Sequence, residues 1–225
     1  MMKAVIFDSG ALITLSMNSM LDIIRELKKK FNGKFLITKE VEYESVIRPM
    51  QIKKYKLGAM NIKALIDDKI LEFPNVVGAS EKEISLRTKE LMNAANSVFQ
   101  ARDRNLHLID VGETSCVALS SLLYHKNIQS VIVIDERTTR MLSEKPENLQ
   151  QLMESKLHTK IMRLPLKDHA FRETEFIRSA ELVYVAYKKG LVKNKSKDML
   201  DAMLYGVKFK GCSISNEEIK EIEKL

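Results

Sequence analysis

Cysteine is scarce: the chain has two, Cys116 and Cys212, and neither stands in a Cys-x-x-Cys spacing. That excludes a disulfide framework, and with no paired histidines a structural zinc site lacks its ligands. Both thiols are expected to be buried among apolar neighbours. His107, His125, His158 and His169 are scattered and adjoin no nucleophile, so they receive no catalytic role. No apolar run approaches the ~18 residues of a membrane span, and no signal-peptide pattern follows Met1-Met2-Lys3, so a cytoplasmic protein with no membrane partner is expected. Internal repeats and low-complexity tracts are also missing, which leaves a single domain over 1–225 as the expectation.

What the chain does have is a folded-domain composition with a basic balance. Hydrophobic residues make up 45% of 225, enough for one core or one core with an elaborated subdomain. Lysine and arginine number 37 against 30 aspartates and glutamates, a net charge of +7. Acids gathered in one pocket would leave the remaining surface more basic still, which favours a polyanionic partner.

Apolar periodicity alternates along the chain between short runs and helical patterns. Residues 3–7 read as a buried strand, 11–30 as a helical stretch, and Phe35-Leu36-Ile37 as a second strand with Thr38 as the cap of the next helix. A helix over 55–68 precedes a short strand at 70–73 that ends at Pro74. Residues 80–104 read as helix-rich, capped at Ser80, within an insertion over about 75–108. A clearly apolar helix runs from 110 to about 124, and 129–135 holds another strand. The C-terminal extension, about 165–225, reads as a long helix over 171–189 stopped by Gly190, a loop with Lys193, Lys195 and Lys197, a short helix over 199–205, and a terminal helix capped near Ser215. The expected class is α/β, with a central, mostly parallel sheet flanked by helices in a Rossmann-like three-layer sandwich and a helical insertion.

Four carboxylates stand at the edges of apolar segments. Asp8 closes Ala4-Val5-Ile6-Phe7, and Asp135 closes Val131-Ile132-Val133-Ile134. Carboxyl ends of neighbouring parallel strands converge on one crevice. Glu44, in a predicted helix, and Glu113, which opens one, are placed to overhang it. Two carboxylates about 4 Å apart repel by roughly 4 kcal/mol at an effective dielectric of 20, so a cluster of four calls for a hard cation. Mg2+ is held by a few carboxylates and keeps waters for phosphodiester chemistry.

The segments Phe7-Asp8-Ser9-Gly10-Ala11-Leu12-Ile13, Val41-Glu42-Tyr43-Glu44, Gly112-Glu113-Thr114-Ser115-Cys116-Val117-Ala118-Leu119 and Ile134-Asp135-Glu136-Arg137-Thr138-Thr139-Arg140 resemble, in order and position, the successive motifs of PIN domains. The resemblance is to a prokaryotic branch with a Gly-Glu helix start and an acid pair followed by Arg, and it extends over most of the chain except about 75–108. It implies a metal-dependent ribonuclease with Mg2+ or Mn2+ at the acid cluster and RNA as substrate. By that resemblance Asp8, Glu113 and Asp135 or Glu136 are metal ligands, Glu44 is an outer ligand or water-orienting group, and Ser9 steadies the first carboxylate. It also implies a toxin-like or RNA-processing role, with an antitoxin or processing partner and a homodimer as candidate associations.

Other readings of these residues stay open. Asp8 also suits a strand-to-turn position, Asp135 the cap of the next helix, Glu113 the positive end of its helix dipole, and Glu44 a solvated face. A PIN-like domain with an incomplete acid set would serve as an RNA-binding or assembly module. Lys3-Ala4-Val5-Ile6-Phe7-Asp8 also resembles the opening of haloacid-dehalogenase-type phosphatases, but Gly10 stands where their second aspartate acts as acid and base. A protein–protein module built on methionine-rich helices is the remaining alternative, although methionines more often pack a core.

Overall fold

A computed structural model describes residues 2–166, 168–193 and 196–225. Through the first half the elements run β1 (Lys3–Phe7), α1 (Ser9–Met17), α2 (Leu21–Lys30), β2 (Lys34–Leu36), α3 (Lys39–Glu42), a π-helical turn (Tyr43–Ile47), α4 (Arg48–Met50) and α5 (Lys56–Asp67). There follow a 3-10 turn (Pro74–Val77), α6 (Glu81–Asn96), β3 (Phe99–Ala101), β4 (Arg104–Asn105) and α7 (Val111–His125). The rest is β5 (Gln129–Val133), α8 (Arg137–Glu144), α9 (Pro146–Leu157), β6 (Met162–Arg163), α10 (Ala170–Glu173), β7 (Glu175–Ile177), α11 (Ser179–Lys188), α12 (Lys197–Phe209) and α13 (Asn216–Lys224).

Four strands form a parallel sheet in the order β2-β1-β5-β7. The continuous apolar run of β1 explains its central place: Ala4, Val5, Ile6 and Phe7 are all buried, so both faces of the strand are covered. Ile6 lies opposite both Leu36 and Ile132, and Phe7 opposite Val133. Phe7 also meets Phe35 edge-to-face with centroids 5.3 Å apart. α7 packs on β1 and β5 and against α3, α6 and α10, while α11 packs on β7 and against α1, α2 and α12. This is the α/β class expected, with a second, three-stranded antiparallel sheet, β4-β3-β6, added to it.

Several elements differ from the periodicity reading, each for a local reason. The stretch over 11–30 is two helices, because Ser19 turns into the left-handed region (φ 57°) and the Asn18 side chain donates to the Thr14 carbonyl at 2.8 Å. Residues 70–73 contribute only a single parallel bridge, Glu72 with Leu36, since Pro74 has no N–H to extend a ladder. In the helix-rich stretch over 80–104 the helix ends at Asn96, whose side-chain oxygen accepts from Leu108 N at 2.6 Å and Ile109 N at 3.2 Å. Between lies a hairpin whose two loop residues, Arg102 and Asp103, both have positive φ (50° and 61°), the turn geometry that matches strand twist.

The largest departure is in 171–189. One long helix was expected, and instead α10 gives way to β7, the fourth strand of the main sheet, before α11 begins. A helical apolar pattern does not register that the edge of β5 needs a partner, which is a tertiary demand. The capping boxes at Ser80 with Glu83 and at Ser215 with Glu218 form as their sequences suggest. Cys116 and Cys212 are buried and free. Of the expected lysine loop, Lys195 lies outside the described residues. No helix among the described residues is long and apolar enough to cross a membrane.

Arg178 joins the C-terminal elements to the sheet. It is buried, donates to Glu181 Oε1 at 2.9 Å and to Glu218 Oε1 at 2.7 Å, and reaches the Ser213 carbonyl at 3.2 Å. Arg178→Ala removes the hydrogen-bonded partner of half-buried Glu181 and leaves only the more distant Arg140 charge near it, and is expected to lower the unfolding free energy by about 2–3 kcal/mol, less than a fully buried pair because Glu218 stays partly wet. Urea unfolding followed by circular dichroism measures it; a change under about 0.5 kcal/mol would show the fork to be ornamental.

Candidate active site

The ends of β1 and β5 set the site. Asp8 continues the ladder, with its N–H on the Val133 carbonyl at 3.0 Å, and its Oδ2 caps α1 by accepting from Gly10 N at 2.9 Å. A side chain at position 10 would begin 3.1 Å from that oxygen, so glycine there lets the carboxylate lie close over the helix start. The other oxygen, Oδ1, is buried and has no hydrogen-bond partner. A buried carboxylate oxygen without a donor is costly.

Glu44 arrives from the π-helical turn. Pro49 explains that turn: its ring conflicts with the carbonyl four residues earlier, at Ser45, and a widened turn over Tyr43–Ile47 relieves the clash. Ser9 Oγ donates to Glu44 Oε2 at 2.7 Å. Ser9 was expected to steady Asp8; its backbone N–H favours that carboxylate, while its side chain holds Glu44. The carboxylate of Glu44 rests on the backbone of Gly112, where a Cβ would stand 2.3 Å from Oε2. This accounts physically for glycine immediately before Glu113.

Glu113 lies in the first turn of α7 and accepts a hydrogen bond from the Thr139 hydroxyl. Asp135, two residues past β5, is buried with both oxygens engaged by one residue: Oδ1 accepts from Ser179 N at 2.8 Å and Oδ2 from Ser179 Oγ at 2.9 Å. Its carbonyl accepts from Ser213 N at 3.0 Å. Glu136 is the cap of α8, accepting from Thr138 N, from Thr138 Oγ1 at 2.8 Å and from Thr139 N at 3.1 Å. The cap expected of Asp135 thus falls to its neighbour, and Asp135 tethers the start of α11 instead.

Electrostatics ties these groups together. Burial pushes Asp8 up to about 7, Gly10 N opposes the rise, and the charges of Glu44 and Asp135 add to it. Burial pushes Glu113 up to about 8 against the Thr139 hydrogen bond, with Asp8, Glu136 and Asp110 contributing repulsion. All five carboxylates therefore share one field at the carboxyl end of the sheet. Gly112, Thr139 and Ser179 were not singled out from the sequence. Gly112 and Thr139 lie within quoted motifs, but Ser179 was hidden inside an apparent helix.

The fit of a hard divalent ion has two sides. The donors are all carboxylate oxygens, the chemistry Mg2+ or Mn2+ takes, and Asp8 Oδ1 is left without a protein donor. Against this, among the described residues no three His, Cys, Asp or Glu side chains are placed to hold one ion as they stand. No protein-family model, curated protein or solved structure matches the chain.

A raised acid pKa has a defined linkage sign. Asp8 and Glu113 bind protons more tightly folded than unfolded, so their contribution is present below about pH 4 and is lost as pH rises through about 7 and 8. In EDTA the melting temperature is expected to fall between pH 5 and pH 9 by scanning calorimetry, and Asp8→Asn with Glu113→Gln to flatten that fall. Equal slopes in wild type and double variant would remove these acids as its source.

Proposed function

We propose that this protein is a metal-dependent ribonuclease hydrolysing RNA phosphodiester bonds at the cluster of Asp8, Glu44, Glu113, Asp135 and Glu136. The observation that carries the reading is the buried, donor-free Oδ1 of Asp8 within the field of three further carboxylates, in a chain of net charge +7. Four acids packed together are unfavourable unless protons or a cation neutralise them. The resemblance of the acid motifs to PIN domains supplies the choice of RNA, and a toxin-like or RNA-processing role with it.

Asp8 and Glu113 would be the residues to hold Mg2+ or Mn2+. Asp8 is fixed by Gly10 N, and Glu113 by Thr139. When bound, the divalent ion supplies charge screening at phosphorus and a lower pKa for an attacking water. Glu44, located by Ser9 and the bare backbone of Gly112, would be the group to orient a water there or to accept its proton. Asp135 contributes negative charge to the field while tethering α11, and Glu136 caps the helix that carries Thr139. The phosphatase alternative has no acid at position 10 to protonate a leaving group.

One observation favours a second reading, an RNA-binding module without catalysis: among the described residues no three acids close on a single point as they stand. Cleavage separates the two. With Mg2+ or Mn2+ the purified protein is expected to cut labelled RNA and with EDTA to leave it whole. Asp8→Asn and Glu113→Gln each lower the rate about 100-fold or more, and Thr139→Ala, which removes the donor to Glu113, about tenfold. RNA bound with a steep salt dependence but never cut would establish the binding module.

A further inference from the structure

We infer that the exposed surface from Tyr43 through the turn to Lys56 is the path by which a single-stranded RNA segment reaches the acid cluster. This rests on the ribonuclease reading and names the form of substrate it takes. Between Glu44 and Asp67 the sequence holds Arg48, Lys53, Lys54, Lys56 and Lys63 and not one Asp or Glu, in a chain with 30 acids. Of these cations only Lys63 is paired, with Asp67 at 2.6 Å; among the described residues the other four have no carboxylate partner. Residues 51–57 are exposed without interruption. A cation track of this kind follows a phosphate backbone, and free strands add a need for flat stacking surfaces.

Two tyrosines supply those surfaces. Tyr43 is 54% exposed and Tyr55 44%, large fractions for aromatic side chains. Lys54 Nζ lies 5.2 Å from the centre of the Tyr55 ring, so a cation already stands beside the stacking face. Tyr43 directly precedes Glu44 within the π-helical turn, so the track begins one residue from the site. The helix from Tyr43 to Gln51 rises roughly 12 Å, room for a few nucleotides. Paired bases offer no free face to a tyrosine, so the occupant is a single strand and not a duplex.

Exposed Ile47, Ile52 and Leu57 on the same surface raise the question of a second copy of the chain. A two-fold interface buries the same patch of both copies, so the Lys53-Lys54-Tyr55-Lys56 run of each would be enclosed in a contact that also holds the other's. Lysine is depleted at interface cores relative to the rest of the surface. The charge therefore favours a polyanion.

Fluorescence anisotropy in a Glu113→Gln background, with a labelled single-stranded RNA of about 12 nucleotides and the same sequence as a duplex, tests this directly. The single strand is expected to bind at least about tenfold more tightly than the duplex. Tyr43→Ala with Tyr55→Ala raises Kd about tenfold or more, the corresponding Phe variants restore binding, and K53A/K54A/K56A lowers the slope of log K against log salt by about 2. If wild type cuts RNA with Mg2+ while the track variants bind and cut as wild type does, this path is wrong and the ribonuclease stands. If no RNA is bound or cut at all, both fall. A change from dimer to monomer in the triple variant by analytical ultracentrifugation, with RNA affinity unchanged, makes the surface a contact between copies and overturns the proposal.

Discussion

Mutual repulsion among carboxylates at the carboxyl end of a parallel sheet is the constraint on which the rest of the molecule turns. β1 is buried on both faces and delivers Asp8 to a place where water cannot reach one of its oxygens. β5 delivers Asp135 beside it, and two helices bring Glu44 and Glu113. Apolar burial of the strands supplies the driving force, on the order of 25 cal/mol per Å² of apolar area, and it holds the acids close despite their repulsion.

Much of the surrounding structure manages that repulsion. Gly10 N, Ser9, Thr139, Thr138 and Ser179 each donate to one of the five carboxylates. The donors differ in reach. Ser179 satisfies both oxygens of Asp135 and ties β5 to α11, whereas Asp8 receives one donor and keeps one oxygen bare. Asp8, Asp135 and Glu136 all organise helix starts, and Asp8 and Glu113 are the acids with raised proton affinity. The C-terminal residues join the same network, because Ser213 N holds the Asp135 carbonyl while the Ser213 carbonyl accepts from Arg140 and Arg178.

Asp8 and Asp135 were legible because each lies where an apolar run ends, and an apolar run ends where a strand leaves the core, while Glu113 was legible at the start of an apolar helix. The capping signals at Thr38, Ser80 and Ser215 were legible for a related reason: a short polar side chain meets backbone N–H groups two or three residues on, so partner and donor are near in sequence. What failed was any feature whose partner is remote. β7 exists because β5 has a free edge, and the β3–β4 hairpin turns through Arg102 and Asp103 without the glycine that announces such turns. Thr139 and Ser179 are ordinary residues until Glu113 and Asp135 are placed beside them.

The sequence by itself determined the α/β class, the buried central strand, the order of the acidic residues and the basic balance of the surface. All follow from local pattern, since side-chain periodicity and charge count do not depend on what packs against them. Only the tertiary structure decided which acid oxygens are engaged and which is bare, that Ser9 serves Glu44, that Gly112 makes room for it, and that a strand interrupts the apparent helix over 171–189. Those outcomes belong to contacts between segments tens of residues apart, and the free energy that selects them is the burial and pairing of groups that no single stretch of chain contains.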